Sequence, residues 1–244
     1  MKSNIFKIAM MIGLGVFLEI GSNALPSVAQ EKYEPPSCQN FAGGVVKCNY
    51  SNGDNYVGSL ANGVPNGQGV YNYAGSKDRY EGQWSNGRPN GRGIYIFGGS
   101  NARFDGVFRN GNIVSGTAIF DNGDRYVGPF NLVEEVGSGK ISSQPAGNGR
   151  FFFANGDRYE GEFFAGSIFG RGVLIRVDGT RCEAQFFNNS LYGKGSCRYR
   201  NGDRYEGELR QGRPHGKGTL VQANGRRFSG EFRDGQPYDP KAKQ

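Results

Sequence analysis

The sequence predicts an all-β chain: an elongated, single-layer antiparallel meander of repeated β-hairpins behind an N-terminal signal peptide. Three observations predict it. An aromatic residue, replaced once by cysteine, recurs at Tyr56, Tyr80, Phe104, Tyr126, Tyr159, Cys182, Tyr205 and Phe228, at spacings of 24, 24, 22, 33, 23, 23 and 23 residues. A period of this length marks a repeat array. Within a unit such as Tyr205-Glu206-Gly207-Glu208-Leu209, apolar or small residues alternate with charged ones, the pattern of a half-solvated strand. Asn-Gly dipeptides then punctuate the strands, at Asn62-Gly63, Asn86-Gly87 and Asn110-Gly111 for the first turn of a unit, and at Asn52-Gly53, Asn122-Gly123, Asn155-Gly156 and Asn201-Gly202 for the second. Such pairs tolerate positive φ at both central positions, as tight hairpins demand.

Taken in order, residues 1–29 read as an export signal. Lys2 and Lys7 form the positive flank, Ile8 to Ile20 an apolar stretch broken by Glu19, and Ser27-Val28-Ala29 a small-residue cleavage site, so the mature chain starts near Gln30. The apolar run falls short of the ~20 residues a spanning helix needs. Losing Lys2, Lys7 and Glu19 takes the formal charge from +7 to +6. No run of lysine or arginine concentrates that charge, which argues against nucleic acid as a partner.

Residues 30–55 form a degenerate capping unit: Tyr33 keeps the 23-residue register, but Pro35 and Pro36 break the strand. Four cysteines in an exported chain allow three disulfide connectivities. If each repeat adds two strands at ~4.8 Å, Cys38 and Cys48 lie on the order of 50 Å from Cys182 and Cys197. A disulfide spans only ~4.4–6.8 Å between Cα atoms, so Cys38 pairs with Cys48 and Cys182 with Cys197.

Residues 56–130 are a first repeat block, 131–146 an inserted loop, 147–238 a second block, and 239–244 a tail. In the unit from Tyr126, Pro129 removes a ladder donor, so pairing there is bent or interrupted. Strand parity places Tyr80, Gly82 and Trp84 on one face and Arg79, Glu81 and Gln83 on the other. Glycines between aromatics on one face leave bare backbone where an adjacent ring can lie flat. Tyr80, Trp84, Tyr95, Phe97, Phe104 and Phe108 make the densest aromatic patch, and they are the candidate binding face.

The run Tyr80-Glu81-Gly82-Gln83-Trp84-Ser85-Asn86-Gly87-Arg88-Pro89-Asn90-Gly91-Arg92-Gly93 resembles the MORN (membrane occupation and recognition nexus) repeat. Tyr205-Glu206-Gly207, with Gly212-Arg213-Pro214-His215-Gly216-Lys217-Gly218, resembles it further. The resemblance covers residues 56 to about 238 and implies an elongated array of hairpins in a single layer. MORN units also accompany kinase and methyltransferase domains, but no segment outside the array in this sequence is long enough for a catalytic fold.

Sharper motifs dissolve on inspection. Gly137-Ser138-Gly139-Lys140 lacks the first glycine and the Ser or Thr of a phosphate loop. His215 is the sole histidine, so there is no histidine cluster for a metal. Glu81, Glu160 and Glu206 fall on the charged face beside arginines, as cross-strand charge pairs would. The expectation is therefore a non-enzymatic module with no catalytic residue, metal or cofactor. It works through protein–protein interaction or scaffolding at the cell envelope, with a protein or peptide partner or by self-association. The alternatives are peripheral binding of anionic membrane lipid, or cell-wall glycan binding, against which stands the single tryptophan, Trp84.

Overall fold

In a computed structural model, which describes residues 35–134 and 141–239, the regular structure is strand throughout, apart from one 3₁₀ turn at Ala42–Gly44. The proposed signal segment, its cleavage site and Gly137–Lys140 lie outside the described residues. The strands are β1 (Ser37–Asn40), β2 (Val46–Asn49), β3 (Asn55–Ala61), β4 (Val64–Asn72), β5 (Arg79–Ser85), β6 (Arg88–Ile96), β7 (Arg103–Arg109) and β8 (Asn112–Ile119). They continue as β9 (Arg125–Glu134), β10 (Ile141–Pro145), β11 (Gly147–Phe152), β12 (Arg158–Phe164), β13 (Ser167–Ile175) and β14 (Arg181–Phe187). The last are β15 (Ser190–Arg198), β16 (Arg204–Arg210), β17 (Arg213–Val221), β18 (Arg227–Arg233) and β19 (Gln236–Tyr238).

They divide into two compact units: β1–β8 belong to the first, β11–β19 to the second, and β9 and β10 give residues to both. Pairing is antiparallel and runs between sequence neighbours, from β1–β2 to β7–β8 in the first unit and from β11–β12 to β18–β19 in the second. The exception is β9, which pairs with β11 across the inserted β10.

Outside the unit from Tyr126, the first turn of a unit is a two-residue loop with both residues at positive φ, for example Asn86 (50°) and Gly87 (73°). The second turn departs from expectation. Of Asn52 and Gly53 only the glycine has positive φ, at 87°. Here the asparagine acts through its side chain. Asn52 Oδ1 accepts the Asp54 N–H at 3.0 Å, and Asn52 Nδ2 donates to Asp54 Oδ2 at 2.9 Å. Asp54 Oδ1 in turn accepts the N–H of Ala74 at 2.7 Å, one repeat further on. The same clamp joins Asp78 to Gly98, Asp124 to Ala154, Asp157 to Val177, and Asp203 to Ala223. These five second turns are thus tied to the next. At Asp178-Gly179-Thr180, threonine replaces the clamping aspartate, and Asp178 accepts the Thr180 N–H within its own turn.

Two strand boundaries also move. The second strand of the last full unit starts at Arg213, not at Gly216, because a two-residue turn leaves no loop and a register shift between Gly207 and Leu209 absorbs the extra residue. The segment 131–146, read as a loop, begins inside β9 and contains β10, which pairs with β9. The pairing of β9 with β11 stops at Val127, two residues short of Pro129, whose carbonyl accepts the Ala146 N–H at 3.1 Å instead. Cys38 faces Cys48 and Cys182 faces Cys197, and both pairs are bonded, with S–S distances of 2.06 and 2.08 Å.

Candidate protein-binding surface

The face carrying the repeat tyrosines is the core of each unit. Tyr80, on β5, lays its ring over Gly82 and Gly93, which face each other across β5 and β6. A Cβ on Gly93 would come within 2.5 Å of the Tyr80 Cζ. The ring reaches across the pleat so that its hydroxyl donates to the Gln83 carbonyl at 3.0 Å. Tyr56, Tyr126, Tyr159 and Tyr205 repeat this seat, donating to the carbonyls of Ser59, Pro129, Glu162 and Glu208. Burial pushes the Tyr56 and Tyr126 hydroxyls up to about 12 and raises Tyr80 further. Tyr95 is raised by burial and by donating to the Asp78 carboxylate.

The expected binding face falls in this core. Tyr80 and Trp84 meet edge to face with centroids 5.1 Å apart, as do Tyr80 and Phe108. Tyr95, Phe97 and Phe104 continue the row at 4.9 and 5.2 Å. Trp84 Nε1 donates to the Gly69 carbonyl at 3.1 Å. Relative exposure is 0% for Tyr80, 3% for Trp84, Tyr95 and Phe108, and 9% for Phe104, while Phe97 is half-buried. These rings are spent on one another and on bare glycine backbone, so they form no open groove. Parity assigned them to one face correctly, but it could not tell that ring-to-ring packing would cover that face.

The opposite, outer face carries what the sequence reading missed. In the second unit Phe164, Phe169, Phe187 and Tyr192 lie 69%, 40%, 62% and 40% exposed. Phe169 lies 6.0 Å from Phe164 and 5.5 Å from Phe187, centroid to centroid. Each side chain belongs to the outer set by its strand's alternation: Phe164 ends β12, Phe169 lies in β13, Phe187 ends β14 and Tyr192 lies in β15. A signal was present in the pairs Phe163-Phe164 and Phe186-Phe187, in which one ring of each must face outward. Around the cluster the face is cationic: Arg210 is the register partner of Tyr192 and faces Arg213. Glu162 spends one carboxylate oxygen on the Arg171 N–H at 3.2 Å.

Of the three glutamates expected to form cross-strand pairs, Glu81 alone forms an ion pair with an arginine, and it does so along its strand. Glu160 faces Arg150 and Val173, Glu206 faces Ser196 and Thr219, and neither forms an ion pair with a described residue. Arg79 reaches Glu81 at 2.7 Å and Arg181 reaches Glu183 at 3.6 Å. Among the described residues, no three of His, Cys, Asp and Glu gather closely enough to hold a metal ion. His215 sits half-buried in β17, its Nδ1 without a hydrogen-bond partner.

A family model described as MORN repeat matches residues 56–76, 80–101, 143–158, 159–181, 182–204 and 205–226. It skips the units starting at Phe104 and Phe228, although β7–β8 and β18–β19 keep the antiparallel hairpin there. No curated protein matches the chain in sequence. Among solved structures, the chain is similar to the Drosophila melanogaster SAS-4 (dCPAP) TCP domain in complex with a proline-rich motif of Ana2 (dSTIL). The identity is 14%, over 87% of this chain and 97% of that one, with a TM-score of 0.33. It is also similar to the Danio rerio CPAP TCP10 domain in complex with a STIL peptide, at 11% identity over 80% and 83%, with a TM-score of 0.32.

Proposed function

The chain belongs to the MORN-repeat family, and from that premise we propose that it is an exported, non-enzymatic scaffold that holds a protein partner on its outer face. The observation that carries this reading is the Phe164–Phe169–Phe187 cluster with Tyr192 beside it. Contiguous exposed aromatic rings with a polar surround mark interaction sites, and buried aromatic anchors dominate binding energy when a partner covers them. The repeat tyrosines of the same unit, Tyr159 and Tyr205, serve as the scaffold that holds this face in register. Export is supported by the N-terminal sequence pattern and by two disulfides, which persist in oxidising compartments.

The test is affinity capture from an envelope fraction with the mature chain and two variants. Phe164→Ser combined with Phe187→Ser should lower capture at least tenfold while leaving the melting temperature within a few degrees. Trp84→Ala should lower the melting temperature and, at low temperature, capture the same partner as the parent protein. Undiminished capture by the double phenylalanine variant would remove the outer-face reading. Light scattering on the purified protein separates a second copy from a different partner.

A further inference from the structure

The register of the second unit draws six arginines into one row. Arg125, Arg158, Arg181, Arg198, Arg204 and Arg227 occupy equivalent positions on β9, β12, β14, β15, β16 and β18, at the margin of the outer face nearest the second turns. The intervening strands fill the row with Phe152, Ile175 and Val221, each the register partner of an arginine on either side. Nine strands at about 4.8 Å make a line of roughly 38 Å. It contains no lysine and no acidic residue.

This arrangement works against stability. Arg181 faces Arg198, and Arg198 faces Arg204, and like charges directly opposite are destabilising. Glu183 offsets Arg181 alone, at 3.6 Å. Arg158, Arg198 and Arg204 are exposed and form no ion pair with another described residue. The equivalent row of the first unit is different: Asn49, Asn55 and Asn72 fill its first half, and only Arg79 and Arg103 carry charge.

We propose that the arginine row is the docking surface for an extended acidic segment of a partner protein, with apolar side chains set between its carboxylates. Guanidinium forks match carboxylates in a planar, two-bond geometry that lysine does not offer. Phe152, Ile175 and Val221 supply apolar contacts between the cationic positions, which a peptide with mixed side chains can use and a bare polyanion cannot. The row is also narrow. Two residues further along β12, β14 and β16, the same face carries Glu160, Glu183 and Glu206. An anionic bilayer or a broad polyanion would meet those carboxylates as well, whereas a single strand of peptide need touch only the arginines. The inference rests on the protein-binding reading, but its surface is separate: Phe164 lies six steps along the extended strand from Arg158, roughly 20 Å away.

The probe is a fluorescent twelve-residue peptide repeating Glu-Ser-Leu-Ser, which carries glutamate and leucine on one face when extended, with a Gln-Ser-Leu-Ser peptide as its neutral counterpart. The full mature chain should bind the first saturably and the second not at all. Arg158→Gln, Arg181→Gln and Arg204→Gln together should weaken binding at least tenfold without lowering the melting temperature, since Arg181 and Arg204 lose their like-charge contacts with Arg198 and Arg158 has no ion pair to lose. Ile175→Ser with Val221→Ser should weaken it several-fold, and Phe164→Ser with Phe187→Ser should leave it unchanged. Absence of peptide binding overturns the proposal, as does a triple variant that binds like the parent. Tighter binding of polyphosphate or of phosphatidylglycerol vesicles, indifferent to the Ile175 and Val221 changes, overturns it in favour of a charge-only surface. Loss of envelope capture through the phenylalanines, with no peptide binding, sinks this inference alone. Peptide binding with capture indifferent to the phenylalanines sinks only the aromatic site.

Discussion

A tyrosine seated on two glycines is the smallest unit of this fold. Tyr80 fills the space that side chains at Gly82 and Gly93 would otherwise occupy, so neither glycine tolerates a Cβ without displacing the ring or the facing backbone. Gly93→Ala should cost about 1–3 kcal/mol in urea unfolding, the usual penalty for overpacking. Tyr80→Phe keeps the ring and loses only the bond to the Gln83 carbonyl, so about 0.5–1.5 kcal/mol is expected. Alkali probes the same seats. Tyr56 and Tyr126 hold their protons up to about pH 12 in the folded chain, against about 10 when unfolded. Stability should therefore be flat below pH 10 and fall between about pH 10 and 12, where the unfolded chain releases protons that the folded chain retains. Urea midpoints at pH 8, 10, 11 and 12 read this directly, and Tyr56→Phe should flatten the decline. The glycine seats were legible in the sequence because spacing and parity both marked them. The burial of Trp84 and Phe108 was not, because the rings that complete their cover, Tyr56 and Tyr71 for Trp84 and Tyr80 for Phe108, lie in the preceding repeat.

At the scale of the hairpin, two turns with similar dipeptides work by different means. Asn86-Gly87 turns the chain through its backbone, while Asn52-Gly53 needs one glycine and hands the rest to side chains. The tripeptide Asn-Gly-Asp, at 52–54, 122–124, 155–157 and 201–203, was visible, but the aspartate's partner lies 20 residues on, or 30 where the insertion intervenes, and shows only in three dimensions. Asp54→Ala frees the Ala74 N–H and the Tyr71 hydroxyl together, and should cost about 2 kcal/mol or more by the strength of bonds to charged groups. Asp54→Asn should recover part of it. In the unit from Cys182 the disulfide stands where a tyrosine seat would be, with Ala184 in place of glycine. Cys182→Ser with Cys197→Ser should cost about 3 kcal/mol for a loop of this length. Reduced and oxidised parent protein should differ by a similar amount.

At the scale of the chain, the meander followed from the repeat alone, since each strand needs only its sequence neighbours as partners. The insertion did not: once β9 runs on past Pro129, pairing with β10, the sheet takes in residues whose sequence looks like loop. The arginine row escaped notice for a related reason. Its members are single residues 6 to 33 positions apart, with no run of arginines among them, and only the register adds them up. Mass spectrometry of exported protein should find Gln30 at the N-terminus and recover the Cys38–Cys48 and Cys182–Cys197 peptides. A Cys48–Cys182 link would be incompatible with the register of either pair.

Strands that pair only with their sequence neighbours also set how the protein responds to force. Pulled by its ends, an array of hairpins within one unit is loaded one bond at a time, as a zipper is, and opens repeat by repeat at low tension. A 23-residue unit gives up about 80 Å of contour, less about 10 Å for the two strand widths it occupied. The unit closed between Cys182 and Cys197 holds back the chain between them, so its step should be shorter by roughly 50 Å. A length record from optical tweezers would then show a run of nearly equal steps with a stunted one among them. Reducing agent should restore that step to full size, making this disulfide a chemically set limit on how far the protein can be drawn out.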